Sequence, residues 1–165
     1  MSNPSIDVEG GSERVKGGMG AKPMPKGLMK AFTRLNVWVY KLTGGRMMSE
    51  MNGTPVCLVT MTGRKSGKKR TIPLMYNPSG DDVVLVASMG GAPKHPIWYH
   101  NLVAHPDIDV QVRGKGKRKM RVRQASDDEK AVLWPSLEEN FPNFSIYAAR
   151  TDRNIPVMIC SPAGT

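Results

Sequence analysis

Short β-rich runs joined by tight turns, with no regular alternation of strand and helix, set the bounds on this chain. Pro55–Thr62 (PVCLVTMT), Arg70–Asn77 (RTIPLMYN) and Asp82–Met89 (DVVLVASM) follow one another closely. The last two are separated by Pro78-Ser79-Gly80-Asp81, a strong turn signal. Pro73 lacks a backbone donor, so the second strand is expected to be bent or to lie at an edge. A second hairpin frames Gly114-Lys115-Gly116. Its strands, Asp107–Arg113 and Lys117–Gln124, alternate Ile108, Val110 and Val112 against Met120 and Val122. Ile155–Cys160 reads as the last strand. Between these lie a helix from Pro96 to Ala104, stopped by Pro106, and one opened by the Ser126/Glu129 capping box. The second runs to about Asn140, and Pro135 is expected to kink or divide it. The order β-β-β-α-β-β-α-β with short links excludes a doubly wound nucleotide fold. It predicts an α+β protein: a small barrel of about six mostly antiparallel strands with flanking helices.

The length of 165 residues fits one domain. Residues 1–25, rich in Gly, Ser and charge, read as a tail, and 26–165 as the folded domain. Leu28, Phe32, Leu35, Val39 and Leu42 recur at helical spacing between Lys26 and Leu42, and Gly44-Gly45 ends that element. With Lys30, Arg34, Lys41 and Trp38, the helix fits either the barrel wall or a lipid surface. No run approaches the ~20 apolar residues of a membrane span. The N-terminus lacks a secretory core. Cys57 and Cys160 sit in apolar runs without metal-ligand spacing, which reads as buried thiols in the cytoplasm.

A net charge of +10 attracts anions of any kind, and two segments concentrate it. In Thr60–Arg70 (TMTGRKSGKKR), Arg64, Lys65, Lys68, Lys69 and Arg70 share a loop with Gly63, Ser66 and Gly67. Such a loop can hold phosphate or several carboxylates; it can equally be a solvated hairpin tip. It fails the Walker spacing. In Lys117–Arg123, Lys117, Lys119, Arg121 and Arg123 share a strand face. That strip could follow a nucleic-acid backbone or simply keep an outer face soluble, and no aromatic residues interleave it.

Ala87–Asn101 (ASMGGAPKHPIWYHN) takes a strand end through Gly90-Gly91 into a helix start. Free amides there offer an anion site or a platform for a flat ring, with Lys94 adding charge. Trp98 reads better as core packing. Ser88 has no surrounding GxSxG, so a hydrolase is not indicated. His95, His100 and His105 recur every five residues and cannot share a helix face, which argues against a metal site. Phe141, Phe144 and Tyr147, three apart, can line an acceptor pocket or fill a core.

Taken in order, TGRKSGKKR (62–70), SMGGAPKHPIWYHNLVAHP (88–106) and TDRNIPVMIC (151–160) resemble the deazaflavin (F420)-dependent nitroreductase family. These are F420H2-dependent split β-barrel reductases related to FMN-binding, pyridoxamine-phosphate-oxidase-like proteins. The resemblance implies that Arg64, Lys65, Ser66 and Arg70 grip the phosphate and oligoglutamate tail of coenzyme F420. It implies that Pro73 and Met75 wall the deazaflavin ring and that Ser88 faces ring and acceptor. Gly90, Gly91, Lys94, Trp98 and Asn101 would hold the remainder. Phe141, Phe144 and Tyr147 would shape the substrate side, with Ser88 and Tyr147 as catalytic hydroxyls. The implied reaction is hydride transfer to a quinone such as menaquinone or to a nitroaromatic compound. The implied setting is the cytoplasm, with peripheral membrane contact and a homodimer as further expectations and no nucleic-acid partner.

Four positions depart from the family pattern. Met89 stands where a lysine is common. Phe141 and Phe144 stand where nitroimidazole-activating members carry tyrosines, and Met75 also replaces a tyrosine. Weak or absent nitroimidazole activity is the expected result. An F420-storage protein without turnover and a basic nucleic-acid-binding module are the alternatives.

Overall fold

The computed structural model describes Leu35, residues 37–40, Leu42, Glu50, Met51 and residues 53–164. The tail expected over 1–25, most of the helix expected over 26–42 and its Gly44-Gly45 stop lie outside the described residues.

Eight strands form one antiparallel sheet: β1 Glu50–Met51, β2 Thr54–Thr62, β3 Lys69–Met75, β4 Asn77–Ser79, β5 Asp82–Val86, β6 Asp107–Val112, β7 Gly116–Gln124 and β8 Val157–Pro162. The order is β1-β2-β6-β7-β8-β5-β4, with β3 paired to the other side of β2. Only Tyr76 separates β3 from β4, yet β3 pairs with β2 and β4 pairs with β5. The bent strand 69–79 therefore belongs to both margins of the sheet and closes it into a split β-barrel. The single strand expected over Arg70–Asn77 is thus two. The bend sits after Pro73, at Tyr76, whose N–H donates to the Pro55 carbonyl at 3.0 Å.

Alternation along the strands builds two cores. Cys57, Val59, Met61, Val83, Leu85, Ile108, Val110, Val112, Met120, Val122, Met158 and Cys160 fill the barrel, with Ile72 and Leu74 packed against them. The opposite faces of β5 and β8 (Val84, Val157, Ile159) meet Leu137, Phe141 and Phe144 outside it. Helix α1, Ile97–Ala104, sends Leu102, Trp98 and Tyr99 to the barrel core. Helices α2, Asp127–Asn140, and α3, Asn143–Ala149, cover the outer core.

Several boundaries differ from expectation. The third strand stops at Val86, not Met89, because Ser88 turns right-handed (φ −71°) and Met89 left-handed (φ 48°). The last strand begins at Val157, since Pro156 has no N–H for the ladder, and it runs on to Pro162. Pro135 does not divide α2, which is continuous over 14 residues. One missing backbone bond there is outweighed by Leu133, Trp134 and Leu137 packing on the outer core. The capping box forms as read: Ser126 Oγ accepts from Glu129 N–H at 3.2 Å, and Glu129 Oε2 accepts from Ser126 N–H at 2.9 Å.

Candidate functional site

The basic loop is the connection between β2 and β3, closed by Gly63 N–H on the Lys68 carbonyl (2.9 Å) and Gly67 N–H on the Gly63 carbonyl (2.8 Å). A Cβ at Gly63 would meet Ser66 Oγ at 2.7 Å and Arg70 Nε at 3.1 Å, so a larger residue would push those two side chains aside. The loop is bolted to α1: Arg64 N–H donates to Asn101 Oδ1 at 3.0 Å. Asn101 is 4% exposed, and its Nδ2 donates to Met61 Sδ at 3.6 Å. Around this joint Gly63, Arg64, Lys65, Ser66, Arg70, Ile97 and Asn101 line a cavity of about 350 Å³. The basic loop therefore meets the helical end of the Ala87–Asn101 segment, at Ile97 and Asn101; Gly90 and Gly91 do not line this cavity. The loop's cations are exposed, and among the described residues none of them forms an ion pair. Their field is left for a ligand.

From the cavity, β3 runs toward the outer core. Cross-strand pairing of Val59 with Ile72 and Cys57 with Leu74 turns those residues inward, so Thr71, Pro73 and Met75 face outward. Met75 packs on the outer core with Val86 and Tyr147, and a narrow gap lies between Met75, Val86 and Phe144. Beyond Val86 the chain enters the turn Met89–Gly91, which packs against α3. A Cβ on Gly91 would lie 2.6 Å from the Tyr147 carbonyl and 2.8 Å from Arg150 Cβ, so no other residue fits without displacement. The turn bears Ser88, which is nearly buried, and the exposed Met89. Lys94 is exposed, and Trp98 packs against the barrel core.

Phe141 and Phe144 are buried in the outer core, with ring centroids 4.9 Å apart. Tyr147 alone of that trio is partly open. Arg153, not singled out from the sequence, donates to the carbonyls of Ala87, Ser88 and Ala92. In the sequence it stands within TDRNIPVMIC, one of the stretches that carry the family resemblance, without a role of its own.

Other charged or hollow features differ in kind. On β7, Lys117 pairs with Asp109, Arg121 with Asp107, and Arg123 forks onto Glu129 with both contacts at 2.7 Å. The Arg123 hydrogen bonds, aided by the Ser126 N–H, hold the Glu129 carboxyl down at about 2. Three of the strip's four cations thus meet carboxylates of the protein itself. A larger cavity of about 600 Å³ lies between α2 and the segment after α3. It mixes Lys130 and Arg153 with Asp127 and Asp152, so it offers a polyanion no net field. Cys57 and Cys160 are free and fully buried, and burial pushes the Cys160 thiol up to about 12. Tyr40, buried against the barrel, donates its hydroxyl to the Val56 carbonyl at 3.1 Å, while Leu35, Trp38 and Leu42 are exposed. The apolar face expected of that helix is in part its outer one.

A profile of the family described as F420H(2)-dependent quinone reductase matches residues 32–162. An F420H(2)-dependent quinone reductase of Mycobacterium tuberculosis (strain H37Rv) is 39% identical over 132 residues, covering 76% of this chain and 87% of that protein. The solved structure of an F420-H2 dependent reductase, FDR-A, is 41% identical with a TM-score of 0.60, over 65% of this chain and 94% of that one. Another, described as a domain-swapped dimer, is 37% identical with a TM-score of 0.61, over 77% and 99%. The chain belongs to the F420H(2)-dependent quinone reductase family.

Proposed function

We propose that this family member is an oxidoreductase that passes hydride from reduced coenzyme F420 to a quinone. The observation that carries the reading is the meeting of a cationic loop, free of ion pairs among the described residues, with Ile97 and Asn101 of α1 around one cavity, through the Arg64–Asn101 joint. A ligand with an acidic tail fits that chemistry, because no carboxylate among the described residues competes for the loop. When bound, F420 supplies a two-electron hydride donor.

In this reading Arg64, Lys65, Ser66 and Arg70 bind the phosphate and glutamate tail by charge-assisted hydrogen bonds. Pro73 and Met75 give the ring an apolar wall that excludes water. Gly90, open on its outer side, makes the turn beside Ser88 a platform for the coenzyme, while Gly91 lets that turn seat on α3. Lys94 lends charge, while Trp98 and Asn101 fix α1 beside the loop. Ser88 and Tyr147 are the hydroxyls that hold or deliver a proton at the acceptor. Phe141 and Phe144 shape that side from beneath, as supports to Tyr147. The reductase domain spans 26–165.

The acceptor class is a flat, electron-poor ring, so nitroaromatic compounds are the second class to test. Leu35, Trp38 and Leu42, exposed on the helix that Tyr40 anchors, support peripheral contact with a quinone-bearing membrane. Among the described residues no helix is long and apolar enough to cross one. Likeness to a domain-swapped dimer supports a homodimer, on the cytoplasmic side. The test is titration with F420, FMN and NADPH, followed by oxidation of F420H2 with menadione, menaquinone and a nitroaromatic panel. Tight FMN binding without F420 binding rejects the proposal. F420 binding without turnover selects the storage alternative.

A further inference from the structure

The turn at the end of β5 is an unusual piece of backbone. Ser88 is right-handed (φ −71°, ψ −40°), and Met89, Gly90 and Gly91 follow at φ 48°, 65° and 78°. Two glycines adopt left-handed geometry freely; Met89 does so at a steric cost. The turn's own bonds are Gly91 N–H to the Ser88 carbonyl (3.0 Å) and Ala92 N–H to the Met89 carbonyl (3.2 Å). A strained conformation of this kind persists only where its surroundings over-determine it.

Arg153 supplies that over-determination. Its Nη2 donates to the Ser88 carbonyl at 2.8 Å, Nη1 to the Ala87 carbonyl at 3.1 Å, and Nε to the Ala92 carbonyl at 3.1 Å. The fork therefore grips the chain on both sides of Met89–Gly91. Nη1 also meets His95 Nδ1 at 2.7 Å, which must accept, so His95 is neutral with its proton on Nε2. Arg153 is itself held, its N–H donating to Thr151 Oγ1 at 3.2 Å. Among the described residues no carboxylate pairs with it. Its half-buried guanidinium is spent on carbonyls, a geometric task that a lysine ammonium cannot copy. On the far side the turn abuts the Tyr147 carbonyl through Gly91.

We infer that Arg153 is a positioning residue that clamps the Met89–Gly91 turn in the shape that receives the ring end of the coenzyme. The inference rests on the F420 reading for the ligand, while the clamp itself is a property of the chain alone. Two measurements separate them. The first is hydrogen–deuterium exchange at the amides of Gly91 and Ala92 in protein without coenzyme. The second is affinity for F420 and for Fo, the deazaflavin lacking the phosphate and glutamate tail.

In Arg153→Lys those amides exchange at least about tenfold faster. Affinity for F420 and for Fo falls by the same factor, about fivefold or more. Thr151→Val, which frees the backbone under Arg153, shifts both readouts in the same direction by less, and it decides the matter if Arg153→Lys does not fold. Arg64→Ala/Lys65→Ala provides the contrast: it weakens F420 and spares Fo. Unchanged exchange in both clamp variants overturns the inference whatever the affinities do. A loss confined to F420 overturns it too, since Arg153 would then serve the tail. If wild-type protein binds neither F420 nor Fo, the functional reading fails, and the exchange rates still test the clamp.

Discussion

Asn101→Ala and Arg64→Ala strike the same joint and should behave differently. Asn101 Oδ1 is the acceptor for Arg64 N–H at 3.0 Å, in a residue only 4% exposed. Its loss leaves a backbone donor without its partner and unpins the basic loop from α1. The cost is about 1–3 kcal/mol for one part-buried hydrogen bond. In a chain of this length that lowers Tm by roughly 3–10 °C. Arg64→Ala keeps the same N–H and removes only an exposed guanidinium, so Tm should move by no more than about 2 °C. F420 affinity should fall in both variants. For Arg64→Ala the loss of one charge-assisted bond, about 1.5–3 kcal/mol, is roughly a tenfold to hundredfold weakening that shrinks as salt rises. Scanning calorimetry and fluorescence titration at two salt concentrations read these quantities. Asn101→Ala melting with the wild type, or Arg64→Ala melting well below Asn101→Ala, would refute the idea that one backbone bond joins the loop to the helix.

Other substitutions probe the rest of the site. Gly91→Ala should cost at least about 2 kcal/mol in urea unfolding, from a left-handed φ and a 2.6 Å clash with the Tyr147 carbonyl, whereas Gly90→Ala meets open space and costs about 1 kcal/mol. Phe144→Ala, at 5% exposure, should lose about 3–5 kcal/mol of stability; a variant as stable as wild type would place that ring in a pocket instead of the core. The Glu129 carboxyl titrates at about 2 against an ordinary 4.5, so the stability it contributes is complete above the higher value and is lost as pH falls through the lower. Glu129→Gln should therefore start less stable at neutral pH and lose less stability across those values, and identical acid profiles would count against the Arg123 pairing.

The barrel was legible because its signals are local. Alternation puts Ile108, Val110, Val112, Met120 and Val122 on the core face, and the Ser126/Glu129 box marks the start of α2 at its true place. What escaped the sequence depended on contacts between distant segments. Tyr76 reads as an ordinary strand residue, and only the pairing of its two flanks with opposite margins makes it a corner. The cations of 64–70 and of 117–123 look alike in composition; partners at Asp107, Asp109 and Glu129 separate them. Pro135 carries a breaker's local cost, but tertiary packing overrides it. Phe141, Phe144 and Tyr147 share a spacing, and burial assigns the first two to the core. Arg153 lies in the TDRNIPVMIC motif, but its role went unread because its acceptors are carbonyls some sixty residues away.

The corner at Tyr76 makes a single residue answerable for the closed cylinder. Its two flanks are hydrogen-bonded to strands at opposite ends of the pairing order. Severing the backbone there would leave β3 hairpinned to β2 and β4 hairpinned to β5, so each margin keeps its own short strand. What the cut removes is the covalent tie between the two margins. The cylinder would then be held shut along that seam only by side chains packed across it, and a nicked or permuted chain opened at this hinge would breathe there first.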